Sequence, residues 1–246
     1  MSDGVISYTY RFTLPDGSCK EFRFGLNEET LELVRVPRDS YPEWTNLEFS
    51  KCPNCPLRAS EHPQCPVAAN LTDVIDFFKG AVSSDTINLD IVTDVRSVSK
   101  RTSMANGVSA LLGVVNVTSG CPVLDKLRPM LRTHLPFSSI EETMYRTLSM
   151  YTMAQFFRLR RGLTPDWKME RLLDLFEEIR LVNRAFCQRL YAACTKDANV
   201  NALIHLDSFV ELTNFALLKK KDRIDRLERV FSAYLEGLPP SSSTDS

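Results

Sequence analysis

Cysteine and histidine are the side chains of this chain whose spacing could do chemistry. Four of the seven cysteines are followed directly by proline, as Cys52-Pro53, Cys55-Pro56, Cys65-Pro66 and Cys121-Pro122. At average proline usage roughly 0.4 such pairs would be expected among them. Cys52 and Cys55 are separated by two residues, a spacing that lets both sulfurs reach one ion from a single tight turn. His62 and Cys65 repeat that spacing, and Cys52, Cys55, His62 and Cys65 together make a plausible tetrahedral zinc set. A rival set replaces His62 with Cys121 and uses all four Cys-Pro pairs. Such a tetrathiolate holds zinc or a [4Fe–4S] cluster. The alternative with no cofactor is a group of reduced, partly buried thiols. Proline removes a backbone N–H beside each sulfur and stiffens the loop, which pre-organises ligands without selecting a metal. Ser119-Gly120-Cys121-Pro122 reads as a loop entering a helix, where N-terminal amides favour a thiolate.

Other candidates are weaker. Asp197, Asn201 and His205 are spaced by four and fall on one helix face, where an oriented histidine can act as an acid or base. A capped helix start explains the same pattern. His134, in His134-Leu135-Pro136-Phe137, stands at the end of a helical segment, capping its carbonyls or lying near the metal. Arg96, Lys100 and Arg101 precede a helix entrance and could grip a phosphate or a nucleotide second messenger. No phosphate-loop glycine pattern accompanies them, and an exposed strand edge with solvated charges explains them as well. Glu141 and Glu142 are explained by capping, and Lys219-Lys220-Lys221 reads as a solvated face.

Positioning these residues falls to a small β-rich part and a larger helical one. Tyr8, Tyr10 and Phe12 alternate with polar residues, Pro15-Asp16-Gly17-Ser18 supplies a turn, and Phe22, Phe24 and Leu26 resume the alternation. Leu31, Leu33 and Val34 suggest a third short strand. From Pro37 to Pro66 the chain carries six prolines and no periodicity, so something other than its own core must tie it down. The spacing then predicts a helix over 67–79, a strand at 87–91 continuing towards Arg96 and Val98, and helices over 104–118, 122–132, 139–161, 165–195 and 199–236, the last with a break near Lys219-Lys220-Lys221. Ser139 to Glu142 fits a capping box, and Thr164-Pro165-Asp166 offers a helix start. The division expected is residues 1–66, 67–238 and a disordered tail at 239–246, in an α+β fold.

The chain has 246 residues, 43% of them hydrophobic and 25% charged, with a net charge of −1. No global field recruits nucleic acid or an anionic membrane. No apolar run reaches the length of a membrane helix, and the N-terminus lacks a secretory pattern. A cytoplasmic protein is expected, where clustered thiols more often mean metal than disulfide.

The segments Cys52-Pro-Asn-Cys-Pro-Leu57, His62-Pro-Gln-Cys-Pro-Val-Ala-Ala-Asn70, Ser119-Gly-Cys-Pro-Val-Leu-Asp125, His134-Leu-Pro-Phe137 and Asp197-Ala-Asn-Val-Asn-Ala202 carry a resemblance. On them, together with Ser97–Ser103 and Glu141–Arg146, the chain resembles an uncharacterised bacterial family of unknown function. The resemblance covers most of residues 5–210 and implies no activity.

The residues themselves point to a metal-stapled, non-enzymatic protein, with zinc the leading cofactor, that serves as a regulator or scaffold. Its helical body would present a surface or pocket to a protein partner or small ligand. The alternatives are an iron–sulfur or thiol-based redox protein and a receptor for a nucleotide messenger.

Overall fold

The computed structural model describes residues 4–34, 38–204 and 221–236. The aromatic alternation builds two strands, β1 (Val5–Thr13) and β2 (Cys19–Asn27), paired antiparallel with Tyr10 opposite Phe22. Between them Gly17 takes φ 82°, a left-handed conformation that glycine adopts without Cβ strain. Asp16 accepts the Ser18 backbone N–H at 2.9 Å and fixes the turn.

β1 also pairs with β3 (Thr86–Thr93), and β3 pairs with β4 (Ser97–Ser103), giving an antiparallel sheet in the order β2-β1-β3-β4. Tyr10, Phe12, Phe22, Leu26, Ile87, Leu89 and Ile91 are buried on one face. Arg11, Arg23 and Arg101 lie exposed on the other. One packed and one solvated face is what strand alternation dictates for such a sheet.

Helices cover the apolar face. α1 (Pro66–Phe78) buries Val67, Leu71, Val74, Ile75 and Phe78, and α2 (Met104–Thr118) starts from a Ser103 cap. α2 lies close on the sheet because Gly107 has no side chain. A Cβ there would meet Ile87 Cδ1 at 2.6 Å. A 3-10 run, Leu124–Thr133, follows, then α3 (Ile140–Arg160) with the capping box of Ser139 and Glu142 in place, then α4 (Glu170–Ala193). A short helix α5 (198–204) docks on the end of α1, where Thr195 and Lys196 donate N–H groups to the Lys79 carbonyl at 3.0 and 2.9 Å. Helices α6 (Lys221–Arg229) and α7 (Ser232–Glu236) complete the described chain.

The fold is α+β and departs in detail from the sequence expectation; the helix expected over 199–236, for one, breaks at Val230 and Phe231 between α6 and α7. The third strand is only an isolated bridge between Leu26 and Leu33, because Leu31 turns the chain at φ 58°. The strand near 86–98 is a hairpin, since Asp94 to Arg96 form a turn closed by Thr93 N–H on the Arg96 carbonyl. The helix at 122–132 is a 3-10 run, with Pro129 inside it removing an N–H. α4 begins at Glu170, five residues after the expected proline start. Met169 precedes it at φ 62°, and Asp166 caps from a distance, accepting the Arg171 N–H at 2.9 Å.

The sheet crosses the compositional boundary at residue 66, since β1 lies between β2 and β3. The expected tail at 239–246, His205 and Lys219-Lys220 lie outside the described residues.

Candidate metal centre

The long irregular loop is pinned by a short pairing of its own. Leu47 donates to the Pro63 carbonyl at 2.9 Å and Cys65 to the Thr45 carbonyl at 2.8 Å, with a bridge between Asn46 and Gln64. Cys65 is then the residue that caps α1, with Pro66 at the first helical position. Cys52 and Cys55 share a tight turn, Cys55 N–H to Cys52 carbonyl at 3.0 Å. Asn54 anchors that turn to α4 by donating to the Glu178 carbonyl at 3.0 Å. Asn70 donates to both the Pro66 carbonyl at 2.8 Å and the Ser119 carbonyl at 3.1 Å, laying the start of α1 beside the end of α2. There Gly120 turns at φ 88° and delivers Cys121.

These contacts bring the Cys-Pro thiols within electrostatic reach of one another. Burial pushes the Cys52 thiol up to about 12, and Cys65, Cys121 and Cys55 lie near enough to oppose its ionisation further. Burial also raises Cys121, although backbone N–H groups of Leu124 and Val123 donate to its sulfur and pull the other way. The loop-to-helix amides expected at Cys121 are thus present, and desolvation outweighs them. A divalent cation would invert this logic, because a coordinated thiol is deprotonated outright.

Within electrostatic reach of Cys65, Cys52 and Cys55 lies Arg189 of α4, 2% exposed. Its guanidinium donates to the carbonyls of Trp44, Asn46 and Leu47, and among the described residues it has no carboxylate partner. Burial lowers its pKa, while the charges of Cys65, Cys52 and Cys55 act the opposite way. A buried cation costs several kcal/mol unless an anion compensates it. Among the described residues, the groups whose ionisation would offset that cost are the thiols of Cys65, Cys52 and Cys55. The donor set and its buried counter-charge fit a metal–thiolate centre of net negative charge. Among the described residues no three or more His, Cys, Asp or Glu side chains already stand in a metal-ligating arrangement. The sulfurs are gathered but not drawn together.

Of the two ligand sets the sequence offered, Cys121 joins the cluster. His62 is exposed and is not among the groups that act on Cys52 or Cys121. Arg189 is the residue that sequence reasoning missed. Its signal was available: Leu172, Leu175, Ile179, Val182 and Phe186 repeat at three-and-four spacing and are all buried, and Arg189 takes the next position of that stripe. A charge where the period demands an apolar residue needs a buried partner.

The remaining candidates fall elsewhere. Asp197 accepts from Ser83 N at 2.9 Å, Ser83 Oγ at 2.8 Å and Asn201 Nδ2 at 2.9 Å, tying α5 to the loop after α1. The Ser83 N–H lowers its pKa first of all. Asp197 and Asn201 are therefore engaged in a structural cap. His134 is largely buried against the sheet, its Nε2 2.9 Å from the Tyr10 hydroxyl, which donates to the Ala110 carbonyl at 3.2 Å. Nε2 then carries the proton and donates to Tyr10. Burial, aided by Arg146 and Arg96, pushes the His134 pKa down to about 4, so the ring is neutral. The three cations of the strand edge are divided by alternation. Lys100 pairs with Leu89 and shares the helix-covered face, whereas Arg101 pairs with Asn88 and points to the opposite one. Arg96 lines a shallow pocket with Arg132 and His134. They do not form a common phosphate grip.

No helix among the described residues is long and apolar enough to cross a membrane. No curated protein and no solved structure matches the chain. A domain of unknown function (DUF6901) matches it over residues 6–232. That span takes in the strands, the cysteine loop and the helices that carry Cys121 and Arg189, and the chain belongs to this family.

Proposed function

We propose that Cys52, Cys55, Cys65 and Cys121 bind one zinc ion that staples the irregular loop to the helical body, and that the protein is a regulator whose body presents a pocket to a small ligand. The observation that carries the metal is Arg189, a buried guanidinium with no ion-paired acid among the described residues and three of the cysteines acting on its charge. Four thiolates around zinc bear a net charge of about −2, which supplies the missing counter-charge. With four protein ligands no position is left open for substrate, so the ion's contribution is to folding. Cys121 contributes across the fold. The other three ligands lie between residues 52 and 65, and bringing Cys121 to them links the end of α2 to the start of α1.

The test is removal of the ion by a chelator under reducing conditions, followed by thermal unfolding. Cys52→Ser and Cys121→Ser are expected to lose the ion and to melt like the stripped parent, while His62→Ala keeps both ion and melting temperature. Loss of the metal in His62→Ala with retention in Cys121→Ser would replace this ligand set by the other.

A further inference from the structure

A cavity of about 320 Å³ lies between α2, the 3-10 run, α3 and α4. That is the lower end of the range for small-molecule sites. Its wall is apolar where Ala110, Val117, Leu127, Leu131, Phe176 and Ile179 face it, and its charged lining is of one sign. Lys100 and Arg146 are at its edge, His134 is neutral, and no aspartate or glutamate lines it among the described residues.

Neither cation has an ion-pair partner among the described residues. Arg146 is held by its Nη2, which donates to the Met130 carbonyl at 2.8 Å, and by its Nε, which donates to Thr133 Oγ1 at 3.4 Å. Nη1 makes no hydrogen bond to the described residues. The nearby Glu142 carboxylate is occupied as a cap, accepting the Ser139 N–H at 2.7 Å. The Lys100 ammonium stands 4.9 Å from the centre of the Phe137 ring. Phe137 itself holds φ 61°, a costly conformation for a bulky residue that here keeps its ring at the cavity rim.

A second observation points the same way. Asn116 is 5% exposed and lines the cavity, and its side-chain carbonyl has no hydrogen-bond partner among the described residues. An orphaned acceptor at that depth costs about 1–3 kcal/mol. A hydroxyl or amide N–H on an occupant would satisfy it.

We propose that the cavity binds a small amphipathic carboxylate, its hydrocarbon body against the apolar wall and its carboxylate between Arg146 Nη1 and the Lys100 ammonium. This rests on the body serving as a receptor and does not depend on the zinc. Lining acids would repel such a ligand, and a neutral His134 leaves Arg146 and Lys100 as the charges that select it. A nucleotide, with its several negative charges, would meet only these two.

The experiment is calorimetric titration of the natively purified protein, its metal content measured on the same sample, with straight-chain carboxylates from hexanoate to dodecanoate and with the matching alcohols. At least one carboxylate is expected to bind saturably at one site, about tenfold more tightly than its alcohol. Lys100→Met, at an exposed position, should weaken the carboxylate about tenfold while leaving the alcohol and the unliganded melting curve unchanged. Arg146→Gln should do the same to the carboxylate. Absence of saturable carboxylate binding overturns the proposal, as does an alcohol that binds equally well. So does Lys100→Met and Arg146→Gln protein that binds the carboxylate like the parent. Carboxylate binding to metal-free protein would sink the zinc reading alone and leave this one standing.

Discussion

Arg189 and Arg146 both carry a guanidinium inward with no carboxylate paired to it among the described residues, and they differ in what surrounds them. Arg189 is enclosed: three backbone carbonyls take its protons and three cysteines of the same chain supply the nearest source of negative charge. Arg146 is half-buried beside an open cavity whose described lining holds a second cation and no acid. In the first region, on the proposed reading, the compensating anion would be a metal–thiolate group of the chain itself. In the second it must come from outside. A buried cation without its acid thus reads as an internal metal centre or as a ligand site, depending on whether ionisable sulfur or empty volume lies next to it.

The sharpest way to break the comparison is Arg189→Met. Three carbonyls lose their donor and the thiolates lose their counter-charge, so a destabilisation of about 3–5 kcal/mol is expected in urea titrations of the metal-loaded protein. In stripped protein, where no metal holds the sulfurs as thiolates, the same substitution should cost at least about 1 kcal/mol less. An equal cost in both forms would mean that Arg189 serves the loop carbonyls and not the sulfurs.

His134 gives the next largest effect. Its folded pKa of about 4 lies below the unfolded value near 6.5. Between these values the unfolded chain binds the proton and the folded one does not, so stability rises with pH. The contribution is fully present above about pH 6.5 and is lost as pH falls towards 4, about 3 kcal/mol in all. His134→Gln, which retains a side-chain donor for Tyr10, should flatten that part of the pH profile. An unchanged slope would place the titration elsewhere.

How much of this was legible follows from how local each signal is. The strands at 5–13 and 19–27 and the helices at 66–78, 104–118 and 140–160 are set by alternation, helical spacing and caps, which act within a few residues. α4 was misplaced at its start because Asp166 caps it through a side chain four residues upstream of Glu170, accepting the Glu170 N–H at 3.3 Å. That is a three-dimensional contact rather than a spacing. The gathering of Cys121 with the other Cys-Pro sulfurs was readable only as one of two ligand sets, since choosing between His62 and Cys121 depends on Asn70 laying α1 beside Ser119. The cavity was not legible at all. Its lining comes from β4, α2, the 3-10 run, α3 and α4, and no stretch of sequence records that these surfaces leave a space.

Asp197→Ala should cost about 1 kcal/mol by removing the tie to Ser83, a cap-sized effect seen in thermal unfolding. It should change neither metal content nor carboxylate affinity. Any effect on binding would return the Asp197–Asn201 face to the list of sites. Lys100→Met is expected to have the smallest effect on folding, within about 0.5 kcal/mol, because its head group is exposed and has no ion-pair partner among the described residues.

The most direct measurement is elemental analysis of protein purified natively, without chelator and under reducing conditions. One zinc ion per chain, absent from Cys52→Ser and reduced in Arg189→Met, is the predicted result. Fully folded native protein that carries no metal, with all four Cys-Pro thiols titrating as free sulfhydryls, would contradict it.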